Sequence, residues 1–191
     1  MYKVRKMKYD VILADPPWHF KTYGKSDANL PQSHYDTIES KDDMVALMHK
    51  TVTAVAAENC ALFMWAVDWN EPKFSQLAGE AEGFTYRTRA FLWVKKTKTF
   101  KNFVGRGYYT QSNPEDVWLF VKGNMPVQDR GVRKLLEAQM GVHSQKPMAI
   151  HKNIERLYPN MNYLELFART KREGWDVWGN EVESDVEITH D

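Results

Sequence analysis

One cysteine in 191 residues, Cys60, excludes a disulfide framework and leaves no cysteine set for a metal. The six histidines are scattered without ligand spacing, so no metal centre is expected from them either. Charge of one sign is also missing. With 26 Lys and Arg against 25 Asp and Glu, the net +1 creates no overall field for an acidic partner, and any nucleic-acid surface must be local. No stretch reaches the roughly 20 apolar residues of a bilayer span, and the basic start, MYKVRKMKYD, has no apolar core of signal-peptide length. These absences predict a cytoplasmic protein without membrane association. Repeats and low-complexity segments are lacking too. With 43% hydrophobic residues, the chain is long enough for one full-sized domain and too short for two comfortable ones.

What is present alternates between strand-like and helix-like stretches. YDVILA (9–14) and CALFMWAV (60–67) are dense apolar runs of strand length, as expected inside a sheet covered on both faces. Between them Ser40 and Asp43 form the start of a capping box, and Met44, Leu47, Met48, Val52 and Val55 recur at helical spacing. Pro72 opens a second helix that Gly83 stops, and the strands TYRTRAFLWV (85–94) and DVWLFV (116–121) follow. Pro147 opens a helix through Leu157, Pro159 closes it, and NYLELFA (162–168) is a further strand. The pattern is α/β throughout, and the acidic end, from Glu181 to Asp191, is expected to fray.

The most unusual stretch is Asp15-Pro16-Pro17-Trp18, directly after the first strand. Two proline rings remove backbone freedom and donors beside the aspartate, so its direction is held firmly. Open α/β sheets bind ligands at the carboxyl ends of their strands, where this motif falls. A fixed carboxylate and a fixed carbonyl suit one chemistry well. The exocyclic amine of adenine is a poor nucleophile because its lone pair is delocalised into the ring. If Asp15 and the Pro16 carbonyl each accept one N–H, the nitrogen is biased toward tetrahedral geometry and the lone pair is freed. Trp18 would supply a flat face for the base, a contact worth roughly 1 to 3 kcal/mol. The four residues then outline a pocket for one extruded base.

Asp-Pro-Pro-Trp after a hydrophobic strand resembles the catalytic motif of adenine N(6)-methyltransferases that use S-adenosylmethionine. HSQKP (143–147), YLELFAR (163–169) and GWDVWGNEV (174–182) are similar to the C-terminal cofactor-binding half of one branch. That branch contains the catalytic subunit of the eukaryotic mRNA adenosine methyltransferase and its bacterial and phage relatives. HYDTIE (34–39) and GRGYYTQSNPEDVWLFVKG (105–123) resemble that family's two loops around the target base. The catalytic motif precedes the cofactor half, as in the permuted branch. The resemblance implies a single Rossmann-like methyltransferase domain over residues 1–182, followed by an acidic tail over 183–191.

It also assigns roles. S-adenosylmethionine presents a carboxylate, a ribose diol and an adenine ring. Lys146 is a mobile charge suited to the carboxylate. Glu165 and Phe167 alternate with Leu164 and Leu166, which places the acid and the aromatic on one face toward the cofactor. Arg169, Asn180 and Glu181 are assigned to the ribose, and Asp15 borders both ligands. Many methyltransferases have a glycine-rich turn after the first cofactor strand; here the segment is ARTKRE, with no glycine before Gly174. In this branch ELFAR is the usual form.

Between Tyr86 and Arg106 stand Arg87, Arg89, Lys95, Lys96, Lys98, Lys101 and Arg106, with no acid and with Phe91, Trp93, Phe100 and Phe103 interleaved. Such basic groups position phosphates, and such aromatics either stack on bases or anchor the strand. Lys95, Lys96, Lys98, Lys101 and Arg106 are therefore candidate nucleic-acid contacts, followed directly by Tyr108 and Tyr109. Tyr23, His34 and Tyr35 are candidates to line the base pocket.

The expected function is methyl transfer from S-adenosylmethionine to N(6) of adenine in a polynucleotide, with no metal required. The compact chain, without an appended recognition module, fits a small bacterial or phage DNA enzyme better than an RNA enzyme. Short-range specificity would come from the two loops or from a partner in a homodimer or heterodimer. The alternatives are an RNA adenosine methyltransferase, a non-catalytic nucleic-acid-binding subunit, and a cytosine amino-methyltransferase, whose motif is more often Ser-Pro-Pro.

Overall fold

The computed structural model describes residues 8–18, 40–66, 72–105, 107, 109–141 and 145–188. Seven strands form one sheet: β1 (Tyr9–Ala14), β2 (Ala56–Ala66), β3 (Thr85–Lys96), β4 (Glu115–Lys122), β5 (Leu135–Gln139), β6 (Tyr163–Leu166) and β7 (Asp176–Trp178), in the order β5-β3-β4-β2-β1-β6-β7. Only β4 runs against the rest, pairing antiparallel with β2 and β3. The helices α1 (Lys41–Val55), α2 (Pro72–Gly79) and α3 (Ala149–Leu157) cover its faces. This is the expected Rossmann-like α/β fold.

Alternation along β1 divides the core. Ile12 and Ala14 point into a layer filled by Met44, Met48 and Val52 of α1 and Phe74 and Ala78 of α2. Val11 and Leu13 point into the opposite layer with Ile150 and Ile154 of α3, Tyr158 and Trp175. Each such fully buried aliphatic side chain contributes about 1.5 to 3 kcal/mol relative to exposure. Both faces of β1 are dry, which is why it reads as a continuous apolar run.

Local signals act as their chemistry dictates. Ser40 caps α1, its hydroxyl accepting the Asp43 N–H at 3.4 Å. Helix α2 stops at Gly79, four residues before Gly83, and Gly79 lets it pack closely on β4, since a Cβ there would stand 2.2 Å from the Phe120 ring. Gly83, at φ +81°, makes the turn into β3. β6 is shorter than expected, since Phe167 at φ +61° breaks the strand after Leu166. Within the acidic segment expected to fray, Asp185 accepts the Val177 N–H at 3.1 Å and pairs with Lys171 at 2.6 Å, while Ile188 is buried in the α1 layer. Residues 183–188 are thus docked on β7.

Candidate active site at the end of strand β1

The ladder between β1 and β6 extends one residue beyond β1, the Asp15 N–H donating to the Leu166 carbonyl at 3.4 Å. This sets Asp15 at the carboxyl edge of the sheet. The next two residues are locked differently. The Trp18 N–H donates to the Pro16 carbonyl at 2.7 Å, a three-residue turn centred on Pro17. Proline's fixed φ near −65° suits the central residue of such a turn. The Pro16 carbonyl is thereby held in one direction and retains a second lone pair.

Trp18 does not present its face to a base. It is 3% exposed, its indole N–H donates to the Trp65 carbonyl at 3.0 Å, and it meets the Phe74 ring edge-on at 5.5 Å. Large apolar area and one buried donor with a partner make it an anchor that fastens the turn to β2 and α2. The expectation of base stacking on Trp18 is corrected accordingly.

Lys146 reaches the same edge from the segment before α3. Its ammonium donates to Asp15 Oδ2 at 2.9 Å and Oδ1 at 3.1 Å, lies 3.5 Å from Glu115 Oε2, and sits 5.0 Å above the centre of the Trp65 ring. Glu115, at the start of β4, pairs in turn with Lys95 at 2.6 Å. Two acids and two lysines thus alternate in one partly buried row. Burial by itself would lower the Lys146 pKa, but Asp15 and Glu115 outweigh it and hold the ammonium above the usual lysine range. Burial would likewise raise Glu115, and Lys146 with Lys95 pull it below the usual carboxylate range. Glu115 was not anticipated from sequence. Its signal is an acid opening an apolar strand, directly after the Asn113-Pro114 pair.

The remaining cofactor candidates group around the end of β6. Glu165 faces the α3 layer, its Oε2 2.8 Å from Nε2 of His151, which is buried and meets Trp175 edge-on at 5.0 Å. Phe167 does not share that face. Its left-handed backbone ends the alternation, and its ring packs on Trp178 at 5.5 Å against the α1 layer. The turn that a glycine would make at no steric cost is made here by Phe167 itself. Arg169 lies 3.8 Å from Glu181, linking the end of β6 to the segment after β7, and Asn180 beside it is exposed. Gly179 is required for this approach: a Cβ there would stand 2.1 Å from the Ala168 carbonyl.

The basic segment divides into two kinds of lysine. Lys95 is paired with Glu115, and Lys96 with Glu137 at 2.5 Å and Asn102 at 2.7 Å, their side chains 19% and 11% exposed. Both are structural cations, correcting their assignment to phosphate contacts; the balancing acids come from β4 and β5, out of sight along the chain. Lys98 and Lys101 are exposed, and Tyr109 is fully exposed. Phe91 and Trp93 are core. Asn113 fastens the loop by accepting the Lys95 N–H at 2.9 Å and donating to the carbonyls of Lys95, at 3.1 Å, and of Phe103. Tyr23, His34, Tyr35, Arg106 and Tyr108 lie outside the described residues. Among the described residues no helix is long and apolar enough to cross a membrane.

Residues 9–181 match the MT-A70 family. The chain belongs to that family. Membership makes it an adenine N(6)-methyltransferase, the activity that the Asp-Pro-Pro-Trp motif implied. It is 35% identical over 202 residues to the type II methyltransferase M.MunI of a Mycoplasma species, covering 96% of this chain and 82% of that protein. It is 26% identical to the human N(6)-adenine-specific methyltransferase METTL4, across 91% of this chain and 37% of the relative. Against the human N(6)-adenosine-methyltransferase catalytic subunit METTL3 it is 27% identical, across 92% of this chain and 28% of that one.

Proposed function

We propose that this MT-A70 enzyme methylates N(6) of adenine in DNA, with S-adenosylmethionine as the methyl donor. The observation that carries the reading is the rigid pair of acceptors at the end of β1: the Asp15 carboxylate, gripped by Lys146, and the Pro16 carbonyl, fixed by the turn to Trp18. Each accepts one N–H of the exocyclic amine, and their fixed separation presents the nitrogen lone pair outward. Positioning of this kind is worth up to about 7 to 11 kcal/mol when two reactants are aligned. Trp18 is a positioning residue that holds the turn in place.

The donor set around the edge suits the cofactor. Lys146 carries the cation its carboxylate needs, Arg169, Asn180 and Glu181 offer donors and acceptors for the ribose, and Glu165 and Phe167 flank the strand end between them. When bound, S-adenosylmethionine supplies an electrophilic methyl group on a sulfonium. Lys146 donates to both Asp15 oxygens and forms an ion pair with Glu115 at 3.5 Å, so its charge is shared between the acids and any carboxylate that arrives.

Near full-length similarity to a type II methyltransferase supports DNA, whereas the N(6)-adenosine-methyltransferases match over less than a third of their length. On this reading residues 1–182 are the methyltransferase domain, Lys98, Lys101, Arg106, Tyr108 and Tyr109 contact the polynucleotide, and Tyr23, His34 and Tyr35 line the base pocket. A cytoplasmic location fits the free, buried Cys60. A second copy or a related subunit would extend the contact surface. The test is transfer of labelled methyl to matched DNA and RNA oligonucleotides, followed by nucleoside analysis. Label in N(6)-methyldeoxyadenosine is expected; label confined to the ribonucleoside would move the substrate to RNA, and none anywhere would favour an inactive subunit.

A further inference from the structure

The segment after β3 turns sharply. The Phe100 N–H donates to the Thr97 carbonyl at 2.9 Å and the Thr97 N–H to the Lys101 carbonyl at 2.8 Å, closing a tight turn over Lys98 and Thr99 with Phe100 at φ +60°. The turn ends on a left-handed residue, a position where glycine is preferred because a Cβ is costly there. An aromatic in that place breaks the local rule. Nor is it repaid by burial: the ring is 55% exposed, belongs to neither core layer, and rests only 5.7 Å above the Lys96 ammonium. Local rules are broken most often where function needs the side chain.

The surroundings say what that function meets. Lys98 and Lys101, which flank Phe100 in sequence, are exposed, while the Lys96 ammonium next to the ring is already neutralised by Glu137. The turn is fastened to the β3 end by the Lys96–Asn102 bridge and by Asn113. From there a continuous row of contacts, Lys95 to Glu115 to Lys146 to Asp15, leads to the proposed site. An exposed aromatic held in a hydrogen-bonded turn, flanked in sequence by two exposed lysines and linked through that row to a site that takes one base, matches the wedges that part base steps in a duplex. We propose that Phe100 is that wedge, and that the substrate is a paired duplex from which Phe100 helps to extrude the target adenine. This rests on the reading above and adds strandedness and a specific residue to it. Exposed lysines before and after Phe100 in the chain favour a polyanion over an apolar protein face.

Phe100→Gly is the variant of choice, because glycine suits φ +60° and the turn survives. Methylation rates would be compared on a duplex with the target adenine paired to thymine and on the same duplex with that adenine opposite an abasic site. The variant should lose about tenfold or more on the paired target, where extrusion must be driven, and less than about twofold on the pre-opened one. With 2-aminopurine at the target, the fluorescence rise on binding should shrink for Phe100→Gly and return for Phe100→Trp. Equal losses on both duplexes, or no loss on the paired one, would overturn the wedge. So would a change in oligomeric state on size exclusion that accounts for the loss, since the ring would then face another protein. A wild type active only on the pre-opened duplex would overturn both the wedge and the paired-duplex assignment while leaving the methyl-transfer reading in place, whereas one inactive on both would overturn the underlying reading as well.

Discussion

The ends of β1 and β3 both carry charge to the same edge of the sheet, and they carry it differently. At β1 a single aspartate is aimed by two prolines, and its partner, Lys146, arrives from 131 residues away. At β3 a run of lysines reads along the chain as a field open to phosphates. In the fold, Lys95 and Lys96 are each neutralised by an acid on a neighbouring strand, and only the loop beyond them stays exposed. Charge density along a sequence is therefore a poor guide to field wherever the residues lie in a sheet, because cross-strand neighbours decide what remains. A residue whose backbone is locked can be interpreted from sequence more safely than one whose charge is counted.

The largest break of this comparison is Lys146→Met. It leaves Asp15 without its cation and Glu115 with Lys95 alone, and losing one partner of a largely buried pair costs about 3 kcal/mol or more. Thermal unfolding should come roughly 6 to 12 °C earlier, with methyl transfer lost. An unchanged Tm would mean that the row of charges is ornamental to the fold. Next, Lys96→Ala should cost about 1 to 2 kcal/mol, seen as a drop in Tm, while the salt dependence of DNA binding stays as in the wild type. Lys98→Ala with Lys101→Ala should do the reverse: Tm unaltered, DNA binding weaker, and the slope of log affinity against log salt flatter by about 2. If the two variants behave alike, the division between structural and exposed lysines is wrong.

The smallest effect is in pH. Glu115 titrates below its ordinary 4.5 in the fold, so its contribution is present above that value and fades as pH falls through the lowered one. Lys146 titrates above its ordinary 10.5, so its contribution is present below that value and fades as pH rises through the raised one. Tm should therefore be flat with respect to this pair between these limits, and Glu115→Gln should remove its share of the acid-side decline. Equal acid sensitivity in the variant and the wild type would remove Glu115 from the account.

Much of the scaffold was legible because its signals are local. β1 was placed to the residue by its apolar run, and α1 by the Ser40 cap and its helical spacing. β5 and β7 were not anticipated: LLEAQ has no β-branched residue, and Asp176–Trp178 is only three residues long, so both are strands through their partners rather than their propensity. Of the site, Asp15, the Pro16 carbonyl and Lys146 were legible as separate residues, and their direct contact was not. Trp18 misled because a tryptophan beside a catalytic turn serves equally well as anchor or platform, and only burial distinguishes the two. Phe167 misled because strand alternation was carried one residue past the strand, into a left-handed turn that nothing in its side chain announces. Glu115 and His151 were missed because their partners lie on other elements.

The central claim is that the end of β1 holds the reacting amine, and Asp15→Asn tests it most directly when methyl transfer and binding of S-adenosylhomocysteine are measured on the same protein. Asparagine keeps the size of the side chain and replaces one of the two carboxylate oxygens with a donor. Transfer should fall by about a hundredfold or more while binding changes by less than about threefold, as for loss of one preorganised acceptor at the reacting atom. Turnover near the wild-type rate, or a loss of transfer matched by an equal loss of binding, would contradict the account.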